Sequence, residues 1–228
     1  MKHSGKAGRA AFKMILITLV LTLLVPVIGF LATLIGSAMV VFSFILVLLW
    51  VLFGLFTLYF FRDPTPRVPT GANLVVSPAH GKVDVIDTVT EPQFMSGECR
   101  RISMFLSVTN VHVQNAPVGG RVAYFKYTEG QFLNALRTES AACNENALIG
   151  IEATEPRGAK VGVRLIAGVL ARRIVPWIAP GDELARGDRI SLIQFGSRVD
   201  VYLPFSADIK IKLGDKVAGG ETVLAVFE

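Results

Sequence analysis

The 228-residue chain is 52% apolar and only 18% charged, with a mean hydropathy of +0.53, which excludes disorder and coiled coil and points to a membrane-embedded part. Two cysteines, Cys99 and Cys143, and three histidines are too few for a disulfide framework or a four-ligand zinc site, and a reducing, cytosolic setting fits the polar part. The net charge of +5 does not signal nucleic acid: four of the 23 basic residues lie in the first thirteen, leaving 19 against 18 acidic ones and no basic stripe.

Those four, Lys2, Lys6, Arg9 and Lys13, make residues 1–13 a basic tail suited to an anionic lipid surface. From Met14 to Phe61 there are 48 consecutive residues without Asp, Glu, Lys, Arg or His. One span needs about 20 apolar residues, so residues 14–61 are predicted to form a membrane helical hairpin. Its turn is expected within 29–37, where Gly36 and Ser37 interrupt a bulky run; Pro26 is a rival break. Trp50 and Tyr59 suit the second span, Tyr59 at its interfacial end. A cleaved signal peptide does not fit, because a signal core is about 7–15 apolar residues long. Arg62 and Arg67 follow the second span, while the turn between the spans carries no charge. Both ends are therefore expected on the cytoplasmic side of the cell membrane.

Residues 62–70 hold three prolines and read as an extended linker. Residues 71–228 read as mostly β. Leu74–Val76, Val83–Ile86, Ile102–Leu106 and Ile190–Ile193 are β-rich runs bounded by turn residues. Gly168 to Trp177 reads as a helix, with Val169, Leu170, Ile174 and Trp177 on one face.

Two internal echoes stand out. The stretch from Gly181-Asp182 to Ile190 aligns with that from Gly214-Asp215 to Val223, and Pro78–Val83 aligns with Pro117–Val122. Paired turn-and-strand units of this kind resemble the halves of a lipoyl- or biotinyl-type barrel sandwich, with glycine where φ is positive. The predicted fold is thus α+β overall: a transmembrane helical hairpin plus a mostly-β domain of turn-strand repeats. A carrier domain needs a modifiable lysine at a hairpin tip. Lys216 sits inside the turn repeat instead, so the carrier payload is missing.

No phosphate loop, dinucleotide fingerprint, His-Glu-x-x-His or Gly-x-Ser-x-Gly motif occurs, and no metal is expected. Four short motifs remain. Phe61-Arg62-Asp63-Pro64 follows the apolar run. Ser77-Pro78-Ala79-His80-Gly81-Lys82-Val83 and Asn110-Val111-His112-Val113-Gln114-Asn115 come next, and Phe195-Gly196-Ser197-Arg198-Val199-Asp200-Val201-Tyr202-Leu203-Pro204 closes the series. In this order and spacing they resemble the short prokaryotic branch of the phosphatidylserine decarboxylase family, over about residues 60–228.

The resemblance implies a proenzyme that cuts itself between Gly196 and Ser197. The products would be a β chain of 1–196 and an α chain of 197–228, with a covalent pyruvoyl group made from Ser197 at the new end. That ketone would form a Schiff base with the substrate amine and take up the electrons left by departing CO2. The implied reaction is phosphatidylserine to phosphatidylethanolamine and CO2. The implied partners are a phospholipid membrane and the chain's own two fragments, with self-association left open. An unprocessed, membrane-anchored lipoyl-like scaffold and the same chemistry on archaetidylserine are the alternatives.

His112 matches the family's proton-transfer histidine. Strand alternation would place it with Asn110 and Gln114 on a polar face. His80 departs from the family pattern, in which an aspartate of a self-cleavage triad is usual. Long-branch members also carry a second histidine three residues after the one matching His112, where Asn115 stands here, so the usual triad cannot be copied onto this chain. His80 either activates Ser197 as a base or is a turn residue of positive φ. Arg62, Arg67, Lys82 and Arg198 are available for a headgroup phosphate; Arg62 and Arg198 are the candidates retained.

Overall fold

A computed structural model describes residues 5–32, 37–131, 144–168, 173–194 and 197–228. Two compact units divide the chain, Gly5–Asp63 and Pro64–Glu228.

The first unit is a pair of helices, α1 (Lys6–Ala32) and α2 (Ser37–Phe60), with Pro26 inside α1. Spans Lys6–Phe30 and Met39–Phe60 are each long and apolar enough to cross a membrane. Their bulky side chains mostly point outward, Phe30 at 76% exposure and Phe44 at 70%, a surface compatible with membrane association. Hydroxyls within the spans return to the helix backbone, Ser43 Oγ to Met39 O at 2.8 Å and Thr57 Oγ1 to Phe53 O at 2.8 Å. Gly29 lets the two helices touch: a Cβ there would fall 2.0 Å from Ser43 Oγ. Of the stretch 29–37 in which the turn was expected, 29–32 and 37 are helical and 33–36 lie outside the described residues.

The second unit is built from antiparallel strands. Its first half holds β1 (Leu74–Val76), β2 (Gly81–Glu91), β3 (Gly97–Leu106), β4 (Val113–Asn115), β5 (Gly120–Thr128) and β6 (Asn146–Ala153). Then come β7 (Lys160–Ala167), β8 (Ile174–Pro176), β9 (Glu183–Leu184) and β10 (Arg189–Ile193). Last are β11 (Ser197–Leu203), β12 (Ala207–Ile209), β13 (Lys216–Val217) and β14 (Val223–Phe227). Eight form one sheet in the order β13-β2-β3-β11-β7-β6-β5-β9; β1-β14-β12 and β4-β10-β8 form two smaller sheets. Alternation drives the core: Val83, Met104, Leu106, Val163, Leu165, Val199 and Val201 point to one side and are fully buried. The described part of the helix expected from Gly168 to Trp177 is not helical. Ile174–Pro176 is a strand that pairs with β10, Ser191 opposite Pro176, and 169–172 lie outside the described residues. The apolar spacing there fits either period over so short a run, and β-branched Ile174 and Val175 complete the sheet beside β10.

The echo seen in the sequence is a twofold repeat of backbone. Gly181 and Gly214 have φ of 98° and 92°, and Gly187 and Gly220 of 85° and 74°, which only glycine adopts without strain. Gly181 N–H donates to Val122 O and Gly214 N–H to Val83 O, both at 2.8 Å. The carboxylate of Asp182 accepts from Ala179 N–H and that of Asp215 from Lys212 N–H, at 2.9 and 2.8 Å. The halves then cross, Val76 N–H to Pro117 O at 2.9 Å and Asn115 N–H to Pro78 O at 2.8 Å.

The proline-rich stretch lies fastened across both turns. Pro66 covers Gly220 and Val68 covers Gly187, so closely that a Cβ on either glycine would meet them at 2.7 and 2.4 Å. Arg67 N–H donates to Glu221 Oε1 at 2.9 Å, and Arg186 holds the carbonyls of Pro69, Gly71 and Leu74 at 2.8, 2.9 and 3.3 Å.

Candidate active site

Ser197 opens β11, the strand flanked by β3 and β7 in the middle of the large sheet, opposite Leu106 on one side and Ala167 on the other. Every residue of β11 is buried, because both faces of this central strand are covered. Alternation puts Ser197 on the core side with Val199 and Val201. Its Oγ is fully buried with no hydrogen-bond partner among the described residues. Phe195 and Gly196 lie outside them, so the expected scissile bond is seen from its serine side alone.

The segment that follows Leu106 wraps the approach to Ser197. Asn110 closes a turn by accepting from Ser107 N–H at 2.9 Å, and His112 then crosses beside β10, its carbonyl accepting from Ile193 N–H at 3.1 Å. The same carbonyl accepts from Gln114 Nε2 at 2.7 Å, and Gln114 is fixed in turn by Ser191 Oγ at 2.8 Å. Residues 106–112 thus bracket 193–197 at both ends. His112 was expected on the polar face of a strand. It stands instead just before β4 in a stretch where 111–118 are all buried, its own exposure being 0%. The reason is long-range: this stretch threads between the crossing halves, Ala116 N–H reaching Asp188 O at 2.7 Å. His112 Nδ1 lies 2.9 Å from Asn110 O. A carbonyl only accepts, so Nδ1 carries the proton in this contact.

His80 is half-buried at the turn that enters β2. Gly81 is required next to it, since a Cβ there would sit 2.5 Å from Phe105 O. Lys82 of β2 and Arg198 of β11 both pair with Phe105 of β3, so His80 and Ser197 fall at the same end of the sheet. His80 does not have a positive φ; the described non-glycine residues that do are Asn73 and Ser96. The reading of His80 as a left-handed turn residue is therefore corrected: glycine at 81 and 219 supplies the room instead. A Cβ on Gly219 would meet Asn115 Oδ1 at 2.9 Å and His80 Cδ2 at 3.0 Å. Asn115 is held by its Nδ2, which donates to Gly187 O at 2.9 Å. Positions 80 and 115 thus both border the space over one glycine, a juxtaposition nothing in the sequence announces.

Arg198, Asp200 and Tyr202 point away from Ser197 and are buried on the other side of the sheet. Arg198 forks onto Asp84, Nη1 to Oδ1 at 2.9 Å and Nη2 to Oδ2 at 2.5 Å. Burial pushes the Asp200 carboxyl up, opposed by a hydrogen bond from Ser103 and by Arg101, Arg198 and Arg164. Arg62 belongs to the helical unit, where Nη1 donates to Tyr59 O at 2.8 Å and the guanidinium lies over the Tyr59 ring. Asp84 and Gly219 were not singled out in the sequence. The one signal for Asp84 is an acid in an otherwise apolar β run, which asks for a cation across the sheet.

Among the described residues no group of three or more His, Cys, Asp or Glu is placed to hold a metal. A family model described as phosphatidylserine decarboxylase matches residues 53–225. Curated relatives carry the name phosphatidylserine decarboxylase proenzyme. That of Desulfotalea psychrophila is 45% identical over 202 residues, 88% of this chain and 92% of its own length. Those of Symbiobacterium thermophilum and Nitrosomonas eutropha are 44% identical, covering 75% and 78% of this chain and 79% and 81% of theirs. With a match that runs through both halves of the β domain and over Ser197, His112 and His80, the chain belongs to the phosphatidylserine decarboxylase family and is a decarboxylase.

Proposed function

We propose that the chain is a proenzyme that cuts itself between Gly196 and Ser197 and then converts phosphatidylserine to phosphatidylethanolamine and CO2. The observation that carries this reading is the Ser197 hydroxyl, fully buried and without a partner among the described residues, at the head of a central strand. A buried hydroxyl without a partner is costly, and such groups persist where chemistry uses them. In the cut, Ser197 Oγ attacks the Gly196 carbonyl carbon as its proton passes to a base. The peptide C–N bond breaks, the amine takes a proton, and an ester joins the two residues. Loss of the Ser197 Cα proton expels the Gly196 carboxylate. Addition of water and release of ammonia then leave a pyruvoyl group on the α chain.

Ser197 fits that group, being a strand-initial residue with its side-chain oxygen in a closed interior. The pyruvoyl ketone supplies the electron sink for decarboxylation. His112, its Nδ1 proton held by Asn110, moves a proton at Nε2. His80 serves as the base for the cut, with Asn115 beside it. The two fragments, 1–196 and 197–228, remain paired through β11 and its neighbours. The turn-and-strand repeat supports a lipoyl-like barrel sandwich, and the basic tail supports a hairpin in the cell membrane with the β domain on the cytoplasmic face.

Intact mass of detergent-solubilised protein tests this directly. The expected result is two chains divided at 196–197, the 32-residue one closed to Edman chemistry, with release of CO2 from phosphatidylserine vesicles. Active protein consisting of one full-length chain with an intact Ser197 overturns the reading.

Gly219 gives a second test. Its alanine variant pushes on Asn115, His80 and the Ala79 backbone, the last at 3.3 Å. Overpacking of this kind costs about 1–3 kcal/mol in urea unfolding. Proenzyme cleavage, followed on a gel, should slow by about tenfold or more, since catalytic geometry tolerates little displacement. Unchanged cleavage would remove His80 and Asn115 from the processing site.

A further inference from the structure

The residue after the cut raises a question the ladder alone does not answer: what keeps a freshly made chain end in register. New termini fray unless something ties them down, and a reacting group has to be held to within about half an ångström. Resting on the self-cleavage reading above, we propose that the Arg198–Asp84 pair is the anchor that holds position 197 in place after the chain is cut, with Arg198 a positioning residue.

Three observations carry this. Arg198 is adjacent to Ser197 and its side chain is 2% exposed, so it enters the protein rather than the solvent. Its fork uses both oxygens of Asp84, at 2.9 and 2.5 Å, which fixes the guanidinium plane and not merely its distance. Asp84 is on β2, while β11 pairs with β3, so the clamp reaches over β3 and ties the first residues of the α fragment to a strand they do not pair with. Pairing to β3 and β7 resists sliding of the whole strand. The fork resists peeling of its first two residues, the motion that cutting before Ser197 would release. An arginine bound in this way is directed to Asp84 and not to a headgroup phosphate.

The experiment uses the full-length protein in detergent with Asp84→Asn and Arg198→Lys, each of which removes the fork while keeping similar size. Both are expected to cleave to completion by intact mass. Their kcat on phosphatidylserine micelles should fall by about ten- to a hundredfold with KM within about twofold, as for a misplaced reacting group. The terminal carbonyl should also react several times faster with phenylhydrazine, because the end is no longer pinned. A purely structural role would lower the yield of folded protein and leave these ratios as in the parent. Should the single variants fail to accumulate, Asp84→Leu with Arg198→Met removes both charges together and is read in the same way. Variants that cleave and keep the parental kcat and labelling rate overturn the clamp alone. A parent chain that is never cut overturns the self-cleavage reading, and the clamp with it.

Discussion

Ser197→Ala is expected to yield a single uncleaved chain and no measurable decarboxylation, a loss of the whole catalytic effect rather than a fraction of it. No hydroxyl remains to attack the Gly196 carbonyl, so neither the cut nor the group that depends on it can follow. The folded protein should not suffer. The Oγ has no hydrogen-bond partner among the described residues, and removing a buried, unsatisfied hydroxyl is neutral or stabilising. Thermal unfolding of the alanine variant should therefore match or exceed that of an uncleaved parent, which separates chemistry from folding. Ser197→Thr keeps the hydroxyl but adds a methyl group to a closed site, so cleavage should continue slowly. A Ser197→Ala chain that still divides at 196–197 would end the mechanism.

The second large effect divides the two histidines. His112→Gln should let the proenzyme cut itself yet lower decarboxylation by the factor of about 10²–10⁴ that proton transfer supplies. The amide reaches the Nε2 position but does not titrate there, so it cannot take up and return a proton. His80→Ala should do the reverse. Cleavage stalls on a time course of freshly made protein, while the fraction that has been cut works at close to the parental rate. Because a base has to be neutral to accept the Ser197 proton, cleavage should also fade as the pH is lowered. His80→Asp restores the family's usual acid beside Asn115 but not its second histidine, and slow cutting is expected. Full decarboxylation by His112→Gln, or ordinary cleavage by His80→Ala, would strike the corresponding assignment.

Much of the architecture was legible because it is local. A charge-free run of 48 residues announces two helices, and alternation with turn residues announces Leu74–Val76 and Ile102–Leu106. The Gly-Asp echo was legible because the backbone demands glycine at 181 and 214. What escaped depends on pairing across distance. Ile174–Pro176 becomes a strand only because β10 lies beside it, and His112 is buried only because the halves cross over it. The site was partly legible for the same reason. Ser197 and His112 lie within recognisable strings, whereas Asp84 meets Arg198 from 114 positions away, and Asn115 and His80 border one space over Gly219.

Set side by side, the two turn-and-strand halves of the β domain carry different side chains at matching places. Arg186 and Gly219 occupy corresponding places. In one half the long side chain grips three carbonyls of the proline-rich stretch; in the other its absence leaves the space that His80 and Asn115 border. His80 itself corresponds to Gly119, a plain turn residue. A repeated scaffold allows such a division, since one half can hold the framework while the other leaves room at the matching place. Grafting His80 onto position 119 would therefore not create a second centre. Arg186 fills that half.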